Sequence, residues 1–482
     1  MTTTETTAQS AEKKVSLLTL TAMVVGSMIG SGVFLLPRRF GTETGVLGAL
    51  IAWTIAGTGM LMLAFVFQQL AMRKPDLNAG IFSYAKAGFG DYIGFNAAFG
   101  YWASACAGNV SYMMLITATA SALFPALGQG DTVVAVIVSS VVVWIFHFLV
   151  LQGVKEAAGI NRIVTIAKVV PIVAFIVIAL VMFNAGYFSE NFWGGDETTF
   201  RAVFEQAKGT MLITVFVFIG IEGASVYSRF AKKRSDVGKA TVFGFLSVLA
   251  VFMLVTLVSY GAMPQDQLAT ATQPSMAAVL ESLVGQWGSV FIRAGVVLSV
   301  LGAYLAWTLM AAEILYIPAT SDDMPRFLTK VNAKGSPVAA LLMVTGLIQA
   351  LLLVLLFVAD ALDFMLDLTA ALALLPYLMS AGYALKLTLT RETYEDNPSG
   401  LRKDMLIALV ATLYTAFLVY AAGPDKLLLS CMLYAPGAVL YIMARREKGL
   451  RVFSPVEMAL FGLIVVGAIA GVIAVATGAM QL

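Results

Sequence analysis

The sequence predicts an all-α protein that crosses a membrane many times, and two observations support this class. Of the 482 residues, 60% are hydrophobic and 12% are charged, whereas soluble domains carry about 25% charged residues. Apolar stretches of about 20 residues, the length that spans a bilayer as a helix, recur along almost the whole chain. The chain is therefore predicted to be one polytopic membrane domain rather than several soluble domains of about 150 residues each.

The apolar stretches predict about thirteen transmembrane helices, which we number spans 1 to 13 in chain order. Their windows are 15–36, 44–71, 92–124, 132–151, 162–184, 208–229, 239–262, 289–317, 337–358, 361–387, 404–421, 426–444 and 456–479. Lys and Arg are concentrated in the segments on one side of these spans, and cytoplasmic loops are enriched in both residues. The polar segment 1–14 is therefore predicted to be cytoplasmic and the C-terminus to lie outside. Arg38 and Arg39, near the outer end of span 1, are the main exceptions, and we expect them to snorkel.

Composition also excludes several classes of chemistry. The 30 Lys and Arg residues are balanced by 28 Asp and Glu residues, so the chain offers no basic surface for nucleic acid. A single histidine, His147, excludes a zinc protease motif with paired histidines. The two cysteines, Cys106 and Cys431, lie far apart in apolar stretches and have no metal-ligand spacing. We expect no metal and no cofactor.

Spans 1 and 6 are interrupted by glycines. Residues 26–34 read Gly-Ser-Met-Ile-Gly-Ser-Gly-Val-Phe, and residues 220–225 read Gly-Ile-Glu-Gly-Ala-Ser. Because glycine costs about 1 kcal/mol relative to alanine in a helix, these runs favour unwound segments that line a cavity. The alternative is close helix packing through small residues, which the Gly26 and Gly30 spacing also fits.

The positions of the two interruptions favour a binding site. They occupy the first and sixth spans, so each opens a candidate five-helix repeat, and interrupted spans at matching positions in two halves are typical of transporter binding sites. The N-terminus of the half-helix after such a break presents unpaired N–H groups and the positive end of a helix dipole. A substrate carboxylate would suit such a site.

At these residues the chain resembles the amino acid, polyamine and organocation transporter superfamily. Its first span carries the motif G-S-x-I-G-x-G-[IV]-F and its sixth carries G-[IV]-E-x-A-S, and both occur here in full. The resemblance covers the whole chain and is closest to the basic amino acid antiporters of the arginine:ornithine type. The segments that carry this closer resemblance are 73–77, 84–91, 100–102, 108–112, 306–308, 312–313 and 375–378.

The resemblance implies a fold of two inverted five-helix repeats, with spans 1 and 6 broken and three peripheral helices added. The core would cover 15–387, with the first repeat at 15–184 and the second at 208–387, and the peripheral helices would cover 404–482. It also implies a multi-pass protein of the bacterial inner membrane that exchanges basic amino acids.

The resemblance further assigns roles to matching positions of this sequence. The carboxylate pocket would be formed by Ser27, Ile29, Gly30, Ser31 and Gly32. The substrate α-amino group and its neighbours would be met by Ile219, Gly220 and Ala224. The pocket for the side chain and its walls would include Ser104, Ala105, Asn109, Trp307 and Thr369. Phe216 stands where arginine:agmatine relatives carry a tryptophan, and a cation stacks more weakly on phenylalanine.

Ionisable residues at membrane depth are costly and are candidates for function. By the resemblance, Glu222 would be a gating or proton-sensitive carboxylate, and its alternative role is a helix cap. Lys168 would replace the sodium ion of sodium-driven relatives, or else it is a snorkelling cation near the inner surface. Glu313 and Asp367 could each face a cationic substrate side chain, or could pair with a neighbouring helix instead.

We therefore expect a membrane antiporter that exchanges cationic amino acids, arginine for ornithine, by alternating access without sodium. One alternative is a uniporter or proton-coupled permease for lysine, histidine or another basic amino acid. A channel and an intramembrane aspartyl protease are more distant alternatives. For the protease, residues 88–91 match the G-x-G-D motif, but no tyrosine in the chain is followed by aspartate, as the partner motif requires.

Overall fold

The computed structural model describes residues 16–77, 81–153, 158–222, 234–395 and 398–480, and within these the regular structure is helical, apart from an isolated β-bridge between Val331 and Pro337. The α-helices are α1 Leu17–Met28, α2 Leu36–Glu43, α3 Val46–Arg73, α4 Ile81–Phe89, α5 Asp91–Ala120, α6 Val133–Leu151, α7 Ala158–Val181, α8 Ala185–Glu190, α9 Phe200–Gly209, α10 Met211–Phe218, α11 Arg234–Tyr260, α12 Gln265–Thr270, α13 Ser275–Val284, α14 Gln286–Thr320, α15 Val338–Val354, α16 Ala361–Thr390, α17 Leu401–Glu447 and α18 Pro455–Ala476. Short 3-10 helices cover Gly32–Leu35, Pro125–Leu127, Arg326–Thr329 and Leu355–Phe357.

The helices confirm the all-α, membrane-spanning class. Among the described residues, nine helices are long and apolar enough to cross a membrane, and the bent pair Leu20–Met28 and Gly32–Glu43 is a tenth candidate. Each window predicted from the sequence contains a described helix. Windows 404–421 and 426–444 fall in α17, whose 47 residues are divided by a kink at Gly423, where φ is 76°.

Helices α5 and α16 form the centre of the bundle. Helix α16 packs against α5 and α17, and α5 also packs against α14. In α16, 78% of the most apolar stretch is buried, compared with 11% in α18. Because apolar side chains can face lipid without cost, α18 can lie at the periphery. Helices α5 and α16 lie in the protein interior.

Candidate functional site

The first span is broken where its glycines predict. Helix α1 ends at Met28, and α2 begins at Leu36 with Pro37 in its first turn, after the 3-10 turn Gly32–Leu35. The two halves of the span differ in direction by 46°. The Ile29 N–H still bonds to the Val25 carbonyl, at 3.0 Å. Within the described part of the chain, the N–H groups of Gly30, Ser31 and Gly32 have no such partner.

The sixth span is interrupted at the same level. Helix α10 ends at Phe218, and Gly220 follows with a φ of +107°, a conformation that favours glycine. A Cβ atom on Gly220 would lie 2.6 Å from the Ser27 carbonyl oxygen, so the close approach of the two spans also requires glycine. The Ser27 hydroxyl donates a hydrogen bond to the Gly220 carbonyl at 3.3 Å. The two interruptions therefore meet. Ala224, predicted as a site residue, lies outside the described residues.

A cavity lies beside this junction. Its lining includes the predicted site residues Ser27, Gly30, Ser31, Gly32, Ser104, Ala105, Phe216, Ile219, Trp307 and Thr369. The lining is completed by Met28, Val33, Gly108, Tyr112, Val217 and Phe252. Helix α5 supplies one wall, and the Ser104 hydroxyl fastens it to α16 by donating to the Thr369 carbonyl at 2.7 Å.

Polar groups and aromatic faces share this lining. Ser31 Oγ is buried and makes no hydrogen bond of good geometry to the described residues, although the Tyr112 hydroxyl is near it. The aromatic residues Phe216, Trp307, Tyr112 and Phe252 also line the cavity. The lining contains no charged side chain among the residues described. The cavity thus combines unpaired backbone and hydroxyl groups with aromatic walls.

Comparison with known proteins identifies the family of the chain. Residues 15–426 match the model of an amino acid permease family. The chain belongs to the amino acid permease family. It is 48% identical to an arginine/ornithine antiporter of Pseudomonas aeruginosa over 467 residues, which cover 96% of this chain and 97% of the relative. It is 37% identical to an L-lysine transport protein of Corynebacterium glutamicum, with 98% of both chains covered. It is also 37% identical to an arginine/agmatine antiporter of Chlamydia abortus, with 90% of both covered.

Some predicted site residues of this permease lie just outside the cavity lining. Ile29 is buried in the break between Met28 and Gly30, both of which line the cavity. Asn109 is fully buried and donates a hydrogen bond from Nδ2 to Thr308 Oγ1 at 3.1 Å, which connects α5 to α14. Asn109 Oδ1 has no partner in the described structure. Gly220 is close to the cavity through Ser27 rather than by lining it.

Glu222 lies in a buried cluster beside the interruption of the sixth span. Its Oε1 accepts a hydrogen bond from the Tyr101 hydroxyl, and its Oε2 accepts one from the Tyr377 hydroxyl at 2.9 Å. The Gly220 N–H also donates to Oε2, at 3.3 Å. The Tyr101 ring contacts the cavity residue Trp307 edge-on, with the ring centroids 6.5 Å apart. The carboxylate therefore joins the break in span 6 to α5 and α16.

These tyrosines are not among the site residues predicted from the sequence. Tyr101 and Tyr112 lie in the long apolar helix α5, where tyrosine is more often a packing or interface residue, and Tyr377 was used only as part of the family motif. The available signal was helical spacing. Tyr101, Ala105, Gly108 and Tyr112 recur at intervals of four, three and four residues, which places them on one face of the helix.

Lys168 of the permease is buried next to the first interruption. Its Nζ donates to the carbonyl oxygen of Gly26 at 3.5 Å, which joins α7 to α1 directly before Ser27. This position connects the fifth span to the first.

The other two predicted carboxylates do not reach the cavity. Glu313 is exposed on α14 and is not part of the lining. Asp367 binds Arg39 Nη2 through Oδ1 at 2.5 Å and Lys426 Nζ through Oδ2 at 3.3 Å. For Asp367 the structure therefore has the alternative arrangement, in which the carboxylate pairs with neighbouring helices. The physical reason is that hydropathy locates a residue along a span but does not determine which side of the helix faces the cavity.

The G-x-G-D motif of residues 88–91 forms a turn and an ion-pair site. Gly90, with a φ of 96°, separates α4 from α5. The Asp91 carboxylate binds Arg445 at 2.8 Å and Lys86 at 3.5 Å. These ion pairs give the aspartate of this motif a structural role.

Proposed function

We propose that this permease exchanges cationic amino acids across the bacterial inner membrane, taking arginine in one direction and ornithine in the other. The observation that carries the proposal is the break in span 1, where the N–H groups of Gly30, Ser31 and Gly32 and the Ser31 hydroxyl border a cavity. An amino acid carboxylate supplies the acceptors that these donors lack, and the half-helix dipole adds favourable charge. The names of the antiporter relatives support the same substrate class.

Aromatic faces are the proposed partners of the substrate's side-chain cation. Phe216 and Trp307 line the cavity, and the described lining contributes no carboxylate that could pair with a guanidinium. A cation over an aromatic ring gains about 0.5–1 kcal/mol when exposed and about 2 kcal/mol or more when desolvated. Recognition by rings suits an exchanger, because arginine and ornithine carry the same charge on side chains of different shape.

Alternating access requires a closure on each side of the bound substrate. We assign the Glu222 cluster, with Tyr101 and Tyr377, to the side predicted to be cytoplasmic. Tyr101 precedes the cavity residues of α5, whereas Tyr377 follows Thr369 on α16, and the predicted topology has these two helices running in opposite directions. In this proposal, Glu222 acts as a gating or proton-sensitive carboxylate. We also propose that exchange is independent of sodium, since the Lys168 ammonium next to the Gly26 carbonyl would repel a metal ion there.

Counterflow in proteoliposomes tests the proposal. Vesicles loaded with unlabelled ornithine should accumulate labelled arginine at a rate at least about tenfold above that of empty vesicles, in sodium-free buffer. Lysine, histidine, agmatine and leucine inside the vesicles should be compared with ornithine as exchange partners. Equal uptake into loaded and empty vesicles would contradict exchange, and the same stimulation by leucine would contradict selectivity for cations.

The lysine transport relative supports a second candidate function. At 37% identity over nearly the full chain, its name makes lysine uptake by a uniporter or proton-coupled permease the alternative. In the same vesicles, this alternative predicts lysine uptake that needs no internal amino acid. A response to an imposed pH gradient would identify the proton-coupled version.

A further inference from the structure

Arg39 and Lys426 share one carboxylate at the end of the bundle predicted to face outside. Asp367 of α16 binds Arg39 of α2 through Oδ1 and Lys426 of α17 through Oδ2, at 2.5 and 3.3 Å. Arg39 also binds Asp363, one turn earlier on α16, at 3.4 Å. The Arg39 side chain is only 10% exposed, so this arginine is buried and paired rather than snorkelling as the sequence predicts. We call these four residues the outer cluster.

The outer cluster lies next to the cavity, on the side away from Glu222. Thr369 lines the cavity two residues after Asp367, whereas Tyr377, a Glu222 partner, is ten residues after it and therefore about 15 Å further along α16. Arg39 follows the cavity residues Gly32 and Val33 on the second half of span 1. Access to the cavity from this end would require α2 to move away from α16, which separates Arg39 from both carboxylates.

When Arg39 separates from Asp367, the carboxylate loses one of its two cations, and Lys426 remains as the other. The side chain of Asp367 is 17% exposed, and a charge with so little access to water is unfavourable when it loses its partner. Lys426 binds the other carboxylate oxygen, so Asp367 keeps one cation when Arg39 leaves. The Lys426 ammonium lies 5.6 Å from the centroid of the Phe364 ring, a contact within cation–π range that also positions it. Gly423, at the kink in α17, places this lysine at the start of the twelfth span.

From these contacts we propose that Lys426 is a positioning residue for the transport cycle, which holds the charge of Asp367 while Arg39 withdraws and so sets the rate at which the cavity opens on this side. The inference rests on the proposed function in assuming that the cavity opens at this end. It gives a role in the cycle to the C-terminal helices, which the family resemblance implies to be peripheral. It also predicts opposite effects for two cations on one carboxylate, because Arg39 stabilises the closed arrangement and Lys426 lowers the cost of leaving it.

Exchange kinetics of the full-length protein in proteoliposomes test this role. Lys426→Gln should lower the maximal rate of arginine:ornithine exchange about tenfold and change the half-saturating arginine concentration less than twofold. Lys426→Arg should restore most of the rate. Lys448→Gln is the matched control, because Lys448 caps the C-terminus of the same helix, has a similar exposure and pairs with Asp323 at the other end of the bundle, at 3.5 Å. It should keep the wild-type rate.

Hydrogen exchange of the backbone separates this inference from the proposed function, because it needs no substrate. Peptides that cover α2 should exchange about threefold more slowly in Lys426→Gln than in wild type, and faster in Arg39→Gln. In an Asp367→Asn background, Lys426→Gln should change neither readout by more than about 1.5-fold, since no charge is left to hold. Equal slowing by Lys448→Gln, a change confined to half-saturation, or full additivity with Asp367→Asn would overturn the role of Lys426. Failure of wild-type counterflow would instead overturn the proposed function.

Discussion

The Ser27 hydroxyl donates a hydrogen bond to the Gly220 carbonyl across 3.3 Å, so the broken segments of the first and sixth spans are in direct contact. The same hydroxyl lies 2.8 Å from the Val24 carbonyl of its own helix. Because both spans lose helical hydrogen bonds at this level of the membrane, each supplies partners that the other needs. The contact brings together sequence segments that are 193 residues apart.

Replacement of Gly220 should disrupt this junction. Gly220→Ala places a side chain at a φ of +107° and a Cβ within 2.6 Å of the Ser27 carbonyl. Strain of this kind costs about 1–3 kcal/mol. We expect exchange activity to fall at least about tenfold and thermal unfolding in detergent to begin at a lower temperature. Gly346→Ala is the control, because Gly346 lies within α15 and its Cβ would meet open space. If both variants had the same activity and thermal stability, the close approach at Gly220 would not be required for either.

Glu222 should control the pH dependence of exchange. The carboxylate accepts hydrogen bonds from Tyr101 and Tyr377, whereas the amide of Glu222→Gln offers one acceptor oxygen and two unwanted donors. We expect this variant to exchange at least about tenfold more slowly, with a flatter rate profile between about pH 5 and 8. Glu313→Gln, which changes an exposed carboxylate outside the cavity, should retain the wild-type profile. A full pH response in Glu222→Gln would reduce Glu222 to a helix cap.

Phe216 should contribute to affinity for the cation rather than to the fold. Phe216→Leu keeps an apolar side chain in the cavity but removes the ring, and loss of a cation–π contact of about 1–2 kcal/mol corresponds to about a 5–30-fold weaker binding of arginine. Phe218→Leu is matched in chemistry on the same helix, but Phe218 packs against Trp53 and Phe252 and does not line the cavity. Isothermal titration should show weaker binding for the first variant alone. Equal arginine affinities of the two variants would indicate that the substrate cation does not bind against Phe216.

The sequence predicted the membrane class and the interruption of span 1 because both depend on local composition. Glycine at 26, 30 and 32 was sufficient to locate the break between Met28 and Gly32, and the structure extends the inference by pairing Ser27 with Gly220. The inverted repeats and the orientation of the termini stay predictions, since they rest on the resemblance and on the distribution of cations.

The charged residues show where sequence reasoning reaches its limit. Hydropathy placed Asp367 and Glu313 in the membrane, but their surroundings depend on helix rotation and on partners far away in the chain. Asp367 meets Arg39 from 328 residues away, and no periodicity in either segment specifies that pair. Helical spacing could have placed Tyr101 on the cavity face of α5, but its link to Tyr377 through Glu222 depends on the three-dimensional arrangement.

Equilibrium binding of arginine and agmatine to wild type and to Ser31→Ala tests most directly the claim that the break in span 1 holds the substrate carboxylate. Agmatine lacks that carboxylate, and hydrogen bonds to charged groups contribute about 1.5–3 kcal/mol. Ser31→Ala should therefore weaken arginine binding about tenfold or more and change agmatine binding less than twofold. Ser139→Ala, which removes another buried hydroxyl without a partner among the described residues, should affect neither ligand. Equal weakening of arginine and agmatine by Ser31→Ala would contradict the carboxylate site.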